Sequence, residues 1–366
     1  MNIQMVDLKR QYQKIKTEID EAIADVISST QFIGGKHVAE FECECAGYLD
    51  VKYTASCANG TDALQIALMA LDIGNGDEVI TTPFTFVATT EMIALVGAKP
   101  VYVDIDEKSF NIDPKKIKEK ITSRTKAILP VHLYGNPVEM DEILMIAKEH
   151  NLFVIEDSAQ AFGAEYKGKK ICSFGDIACI SFFPSKNLGC YGDGGMVTTN
   201  SDEIYKRVKM IANHGSKERY VHEILGVNSR LDALQAAILR VKLKYIDQVN
   251  QNRINNAKKY SERLAGIDGV IVPSFESYSK HIFHQCTLRV PRRDELQNYL
   301  KEKNIPSMIY YPIPLHMQPA FSSFAKGVNL PITDKFSKEV ISLPMHPELL
   351  EEEIDYITST IKEFYS

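Results

Sequence analysis

The feature that most constrains the fold is a buried strand that ends in a lysine-bearing loop. Residues 177 to 183 form an apolar run, and the chain leaves it at Pro184 for Ser185-Lys186-Asn187-Leu188-Gly189-Cys190-Tyr191-Gly192-Asp193-Gly194-Gly195. An apolar run of this kind belongs inside a sheet, so Lys186 is expected in a cleft at a strand end. A loop lysine is ordinarily a solvated charge. Here Gly189, Gly192, Gly194 and Gly195 crowd it, which marks backbone that turns sharply or approaches something closely. A desolvated lysine has a lowered pKa and can act as a neutral amine toward a carbonyl compound.

At 366 residues the chain exceeds one typical domain, so a large domain with a smaller one is expected. Hydrophobic residues at 45% and charged residues at 25% are enough for a sizeable core and an ordinary surface. A net charge of −6 speaks against nucleic acid, whose phosphates need a concentrated basic surface. Seven scattered cysteines fit free thiols in a reducing cytoplasm. Cys43 and Cys45 have no second pair at zinc-ligand spacing, so they read as structural and no metal is expected. The opening run Met1 to Lys9 lacks a basic-then-apolar signal pattern, and nothing approaches the roughly 18 apolar residues of a membrane span. A soluble cytoplasmic protein is the expectation.

Apolar positions from Tyr12 to Ile27 recur at three- and four-residue spacing and predict one helix over 10–29, then a turn at Gly34-Gly35 and a helix from about His37 to Leu49. Tyr53 to Cys57 reads as a strand. Asn59-Gly60-Thr61 then opens a helix, with Thr61 as its N-cap and Ala63, Leu64, Ala67, Leu68 and Leu71 as its buried stripe. A helix start behind a glycine is a ready phosphate site, and equally a capped helix with no ligand. Strands at 79–81, 99–104 and 127–131, with a helix over 114–121, continue a β-α-β rhythm that implies a mostly parallel sheet covered by helices. Phe86, read alone, is a core residue.

A second strand-end signal is the apolar Leu152 to Ile155 followed by Glu156-Asp157-Ser158-Ala159-Gln160. An acid there can be a cap, a metal ligand or the partner of a cofactor. Further on come a strand at 195–199, a helix at 202–212, and Asn228-Ser229-Arg230 ahead of a long helix over 233–249. The domain boundary is expected at 245–255. The remainder reads as helix, strand (284–290) and helix (293–304), then Tyr310-Tyr311-Pro312-Ile313-Pro314-Leu315-His316-Met317-Gln318-Pro319, a loop able to touch a sugar or simply a proline-stiffened connection.

Taken in order, the Asn-Gly-Thr turn, Phe86, Glu-Asp-Ser-Ala-Gln, Ser181-Phe182-Phe183-Pro184-Ser185-Lys186 and Asn-Ser-Arg resemble the sugar-nucleotide aminotransferases of the DegT/DnrJ/EryC1/StrS family. The resemblance covers nearly the whole chain. It implies an α/β architecture, the fold-type I of pyridoxal-phosphate-dependent transferases. A large cofactor-binding domain (1–250) would have a mostly parallel sheet flanked by helices, its amino-terminal helix packing toward a small α+β domain (251–366). Pyridoxal 5′-phosphate is the implied cofactor. Lys186 would form the Schiff base and shuttle the proton, and Asp157 would keep the ring nitrogen protonated so that the ring acts as an electron sink. By the same resemblance Gly60, Thr61 and Ser181 hold the phosphate, Phe86 stacks on the ring, and Gln160 contacts its phenolic oxygen. Asn228 reaches the phosphate from a neighbouring subunit, which implies a homodimer with shared sites.

The implied reaction moves an amino group from L-glutamate to a keto sugar. The run Tyr311 to Pro319 and the segment Gly226-Val227-Asn228-Ser229-Arg230 look most like members that aminate carbon 3 of a UDP-linked 2-acetamido-3-keto hexuronic acid for surface polysaccharide. Arg230, Tyr310, Tyr311 and His316 are the expected substrate contacts, Arg230 pairing with a carboxylate or phosphate. Carbon-4 amination of a UDP- or dTDP-4-keto-6-deoxy sugar is the alternative. Dehydratase relatives carry histidine in place of Lys186, and a non-catalytic binding protein on this fold has no need of both Asp157 and Lys186.

Overall fold

The computed structural model describes residues 3–366, so Met1 and Asn2 of the amino-terminal run lie outside the described residues. The main sheet comprises β1 (Tyr53–Cys57), β2 (Glu78–Thr81), β3 (Lys99–Tyr102), β4 (Thr125–Ile128), β5 (Phe153–Asp157), β6 (Ile177–Ser181) and β7 (Gly195–Thr199). Their order across the sheet is β1-β7-β6-β5-β4-β2-β3. From β6 to β3 the neighbours are parallel, while β7 runs antiparallel to both β1 and β6.

Alternation along the strands decides which core each residue joins. Ile80, Ile128, Val154, Ala178 and Ile180 enter one hydrophobic core with Phe41, Phe182 and Leu239. Val79, Ala127, Ile155, Ile177 and Val197 point the other way, onto Leu64, Leu68 and Ile93. With both faces covered, near-continuous apolar strands are what the sheet requires. A third core lies beyond residue 250, where Ala257, Tyr260, Leu288, Leu296, Ile341 and Ile357 pack with Ile3.

The helices are α1 (Leu8–Lys14), α2 (Lys16–Ser29), α3 (Gly35–Leu49), α4 (Gly60–Ala70), α5 (Val87–Leu95), α6 (Met140–His150), α7 (Asp202–Ile211), α8 (Ala233–Leu243), α9 (Ile246–Leu264), α10 (Arg293–Glu302), α11 (Pro331–Glu339) and α12 (Glu351–Tyr365). The last three surround an antiparallel pair, β8 (Cys286–Arg289) and β9 (Val340–Leu343). None of the helices among the described residues is long and apolar enough to cross a membrane.

Several expected elements are divided. The helix expected over 10–29 breaks at Ile15, whose ψ is 21°. The break lets two anchors be met at once. Arg10 pairs with Glu353 of α12 at 2.7 Å, while Ile19 packs on Ile238 and Val241 of α8. The carboxyl-terminal part is thus met by Ile3, by Met5, whose carbonyl accepts from Met345 N at 3.2 Å, and by α1, while α2 packs on α8. The helix expected over 233–249 ends at Leu243, and Lys244 and Tyr245 at the break both reach Glu18 of α2. Beyond it α9 runs from the first core, through Ile246, to the third, through Ala257 and Tyr260. The helix expected over 114–121 is a pair of short 3₁₀ turns.

Candidate active site

The carboxyl ends of the parallel strands open into one cleft of about 820 Å³. It lies where the chain, having placed β3 outside β2, crosses back to lay β4 on the other side, the kind of place where open α/β sheets bind ligands. Gly60, Thr61, Phe86, Asp157, Gln160, Ser181, Lys186, Tyr310 and Tyr311 all line it.

Lys186 follows β6 in a loop whose tightness is visible at Gly189, where a Cβ would stand 2.5 Å from the Pro184 carbonyl. Next to it, Asn187 donates to Asn250 Oδ1 at 2.7 Å and fixes the loop against α9. Burial lowers the Lys186 pKa to about 8, opposed by the attraction of Asp157. Its amine is therefore partly neutral near physiological pH, as carbonyl chemistry requires.

Asp157 and Glu156, adjacent on β5, show how alternation sorts two carboxylates. Glu156 is fully buried and saturated by His132 Nε2 at 3.1 Å and by the backbone N–H groups of Cys172, Phe174 and Gly175. His132 Nδ1 accepts from Val138 N at 3.0 Å, so its proton is on Nε2 and points at Glu156. Those donors hold the Glu156 carboxyl below its usual range despite burial. Asp157 points toward the cleft instead. Its Oδ2 accepts from Thr89 Oγ1 at 2.7 Å and its Oδ1 from Ala159 N at 3.2 Å, and burial raises its pKa. Each oxygen keeps a lone pair for a ligand in the cleft.

A phosphate-sized cradle lies at the start of α4. The helix is capped by Asn59, whose side chain accepts from Asp62 N at 2.8 Å, and not by Thr61 as expected. Thr61 stands in the first turn and lines the cleft, leaving the first N–H groups available to an anion. At Gly60 a Cβ would lie 2.6 Å from Ser181 Cβ, so only glycine permits this approach of turn and strand end. The Phe86 ring is 56% exposed although the sequence alone reads it as core. It forms part of the cleft wall. Gln160 is held from both sides, accepting from Tyr134 N at 2.7 Å and donating to the Tyr311 hydroxyl at 3.1 Å.

Three expected site residues lie elsewhere. His316 is turned away and buried against Tyr102, with Nε2 at 3.0 Å from Asp334; the loop puts its neighbours Leu315 and Gln318, not the imidazole, on the cleft. Asn228 is exposed and its backbone pairs with Asn213. Arg230 lines a second cavity of about 790 Å³ beside Lys209, Lys217 and Gly34. Conversely, Thr85, Thr89, Asp193, His284 and Gln285 line the cleft without having been singled out. For Thr85 and Thr89 a signal existed, since their four-residue spacing puts two hydroxyls on one face of a turn. His284 is buried and neutral, its pKa pushed well below the usual value by burial and by the charges of Lys186 and Arg253. Its place depends on the fold of the carboxyl-terminal part, which no local pattern announces.

Residues 13–362 match the DegT/DnrJ/EryC1/StrS aminotransferase family. A pleiotropic regulatory protein of Geobacillus stearothermophilus is 50% identical, over 100% of this chain and 99% of that protein. A UDP-2-acetamido-2-deoxy-3-oxo-D-glucuronate aminotransferase of Pseudomonas aeruginosa is 49% identical over 95% and 96%. Among solved structures, Streptomyces venezuelae DesV in complex with a ketimine intermediate superposes with a TM-score of 0.97 at 39% identity, covering 100% and 99% of the two chains. Bacillus subtilis NtdA with bound cofactor PMP gives 0.90 at 32% identity, covering 98% of this chain and 82% of that one.

Proposed function

This chain belongs to the DegT/DnrJ/EryC1/StrS aminotransferase family, and from that premise we propose that it carries an amino group from L-glutamate to carbon 3 of a UDP-linked keto sugar, such as UDP-2-acetamido-2-deoxy-3-oxo-glucuronic acid, for a surface polysaccharide. The cofactor is pyridoxal 5′-phosphate, which when bound supplies an aldehyde to take up the amino group and a ring that stores the electron pair. The observation that carries the reading is the convergence on one cleft of the low-pKa amine of Lys186, the carboxylate of Asp157 and the glycine-only cradle at Gly60. A binding protein on this fold would need no such set.

In this reading the residues divide the work between them. The first N–H groups of α4, with Thr61 and Ser181, bind the phosphate. Phe86 covers one face of the ring, and Gln160 holds its oxygen side. Asp157 keeps a proton on the ring nitrogen. Lys186 Nζ, once free, takes the proton from the α carbon of the amino donor. Tyr310 and Tyr311 close the sugar side.

The cleft of a single chain is short of positive charge for a nucleotide diphosphate. Lys186 is the one lysine or arginine among the described residues lining it, beside Asp62, Asp157 and Asp193. Arg230, Lys209 and Lys217 gather on the other cavity, and a second copy would bring such groups to the first. A homodimer in which Asn228 and Arg230 serve the neighbouring cleft supplies what is missing.

The test is spectroscopic. Purified protein loaded with pyridoxal phosphate should absorb in the visible, lose that band on addition of L-glutamate, and recover it on addition of a UDP-3-keto sugar. A protein that takes up no cofactor would overturn the reading, and recovery only with 4-keto sugars would overturn the carbon-3 assignment.

A further inference from the structure

Behind Asp157 stand two threonines that no catalytic role yet explains. Thr85 and Thr89 are each 1% exposed, Thr85 just ahead of α5 and Thr89 in its first turn, with Phe86 between them. Thr89 Oγ1 lies 2.7 Å from Asp157 Oδ2, and Thr85 Oγ1 lies 3.2 Å from Thr89 Oγ1. An ionised carboxylate accepts only, so the single proton of Thr89 is committed to Asp157. Thr85 must then donate to Thr89. The order Thr85 to Thr89 to Asp157 follows from the hydroxyl inventory alone, and each bond polarises the next.

We propose that Thr89 is a positioning residue for the amino-transfer reaction, and that the Thr85–Thr89 hydroxyl relay keeps the negative charge on Asp157 and so keeps the proton on the cofactor's ring nitrogen. The inference rests on the aminotransferase reading of the cleft. Its chemistry is the placing of one proton. A buried carboxylate facing a pyridine nitrogen can share that proton as carboxylate and pyridinium, or as carboxylic acid and neutral pyridine. Burial favours the second arrangement, because it carries no charge. Hydrogen bonds donated to the carboxylate favour the first, and bonds to a charged acceptor are among the stronger ones. Thr89 makes the shorter of the two bonds to Asp157, and it is the largest influence holding that carboxyl down against burial. The other groups facing Asp157 are Lys186 and His132, which also favour its charged form, and Tyr311 and Cys179, whose own ionisation its charge opposes. None of these donates a hydrogen bond to it.

The experiment compares holoenzyme carrying cofactor labelled with ¹⁵N at the ring nitrogen, in wild type, Thr89→Val, Thr89→Ser and Thr85→Val. Valine keeps the shape and removes the hydroxyl, and serine restores the hydroxyl without the methyl. The wild-type nitrogen should resonate as pyridinium. Thr89→Val should move it toward neutral pyridine and lower kcat about tenfold with KM within about twofold, Thr89→Ser should restore both, and Thr85→Val should give a smaller shift in the same direction. A pyridinium resonance and kcat unchanged in Thr89→Val would overturn the relay while leaving the aminotransferase reading intact. If Thr89→Val does not retain cofactor, Thr85→Val decides, and no shift there overturns the relay. Wild-type protein that binds no cofactor would overturn both readings.

Discussion

Two cavities of nearly equal size, about 820 and 790 Å³, are built on opposite principles. The first collects short side chains at strand ends and a helix start, each tied down by a named partner: Asp157 by Thr89, Gln160 by Tyr134 and Tyr311, Gly60 by its contact with Ser181. The second is lined by long side chains of both signs, with Lys209 at 3.4 Å from Glu42, Lys217 at 3.8 Å from Glu223, and the exposed Arg230 beside them. Chemistry that moves a proton needs groups held in place before the substrate arrives, and strand ends hold them at little entropic cost. Long side chains in exposed ion pairs are held far less firmly, because solvent competes for both partners. Glu156 and Asp157 differ within one dipeptide, since the first has its oxygens filled by four protein donors and the second, with one donor on each oxygen, keeps a lone pair on each for a ligand.

Lys186→Ala should have the greatest effect in the first cavity. It should lower turnover by roughly 10³-fold or more, since in the proposed reaction the nucleophile and the proton carrier are the same amine, and a single-turnover assay with glutamate reads it. A retained rate would remove Lys186 from the chemistry. Gly60→Ala comes next. Its added carbon would stand 2.6 Å from Ser181 Cβ, so the cradle must open. Cofactor affinity measured by fluorescence titration should fall about 100-fold, some 2.7 kcal/mol. Unchanged affinity would place the phosphate elsewhere.

A pH series sharpens the first cavity. With the Lys186 pKa near 8, the amine is an ammonium below that value and a nucleophile above it. The rate at which cofactor-free protein captures pyridoxal phosphate should therefore rise about tenfold per unit up to pH ~8 and then level off. A rise continuing to pH ~10 would mean an unperturbed lysine. Arg230→Ala probes the second cavity. It should raise KM for the nucleotide sugar about tenfold and leave the glutamate half-reaction nearly intact; loss of both halves would show a structural role instead. The smallest kinetic effect is expected at His316, packed on Tyr102 and Asp334. His316→Ala should cost ~2 kcal/mol of stability in a denaturant titration with kcat within twofold, and a larger loss of kcat would return His316 to the substrate side.

What could be read in advance divides along physical lines. β1 and β7 appear at their expected limits, and the remaining strands of the sheet differ from expectation by a few terminal residues, because a doubly covered sheet demands uninterrupted apolar runs. Asp157 and Lys186 were legible for the same reason, since a polar group that follows such a run emerges at the carboxyl end of the sheet, whereas Ser181 lies inside the run of 177–183 and was expected only from the family resemblance. Helix limits were less legible. Ile15 and Tyr245 carry no breaker, and the chain bends there because two distant partners, α12 and α8 in one case and Glu18 in the other, each hold one side. His316 and Gln318 share one loop with similar polarity, and nothing local separates the buried imidazole from the amide on the cleft.

Readable along the chain are the alternation that assigns Ile80 to one core and Val79 to the other, and the order of motifs that places this chain in its family. Periodicity and backbone sterics act between neighbours in the chain and can be read along it. Folding in three dimensions sets Gly60 against Ser181, brings Thr89 to donate to Asp157, leaves His284 neutral beside Lys186, and turns Arg230 to a different cavity from Lys186. Those contacts join residues far apart in the chain, and hydrogen bonding and desolvation depend on distances that exist only once the sheet has brought the segments together.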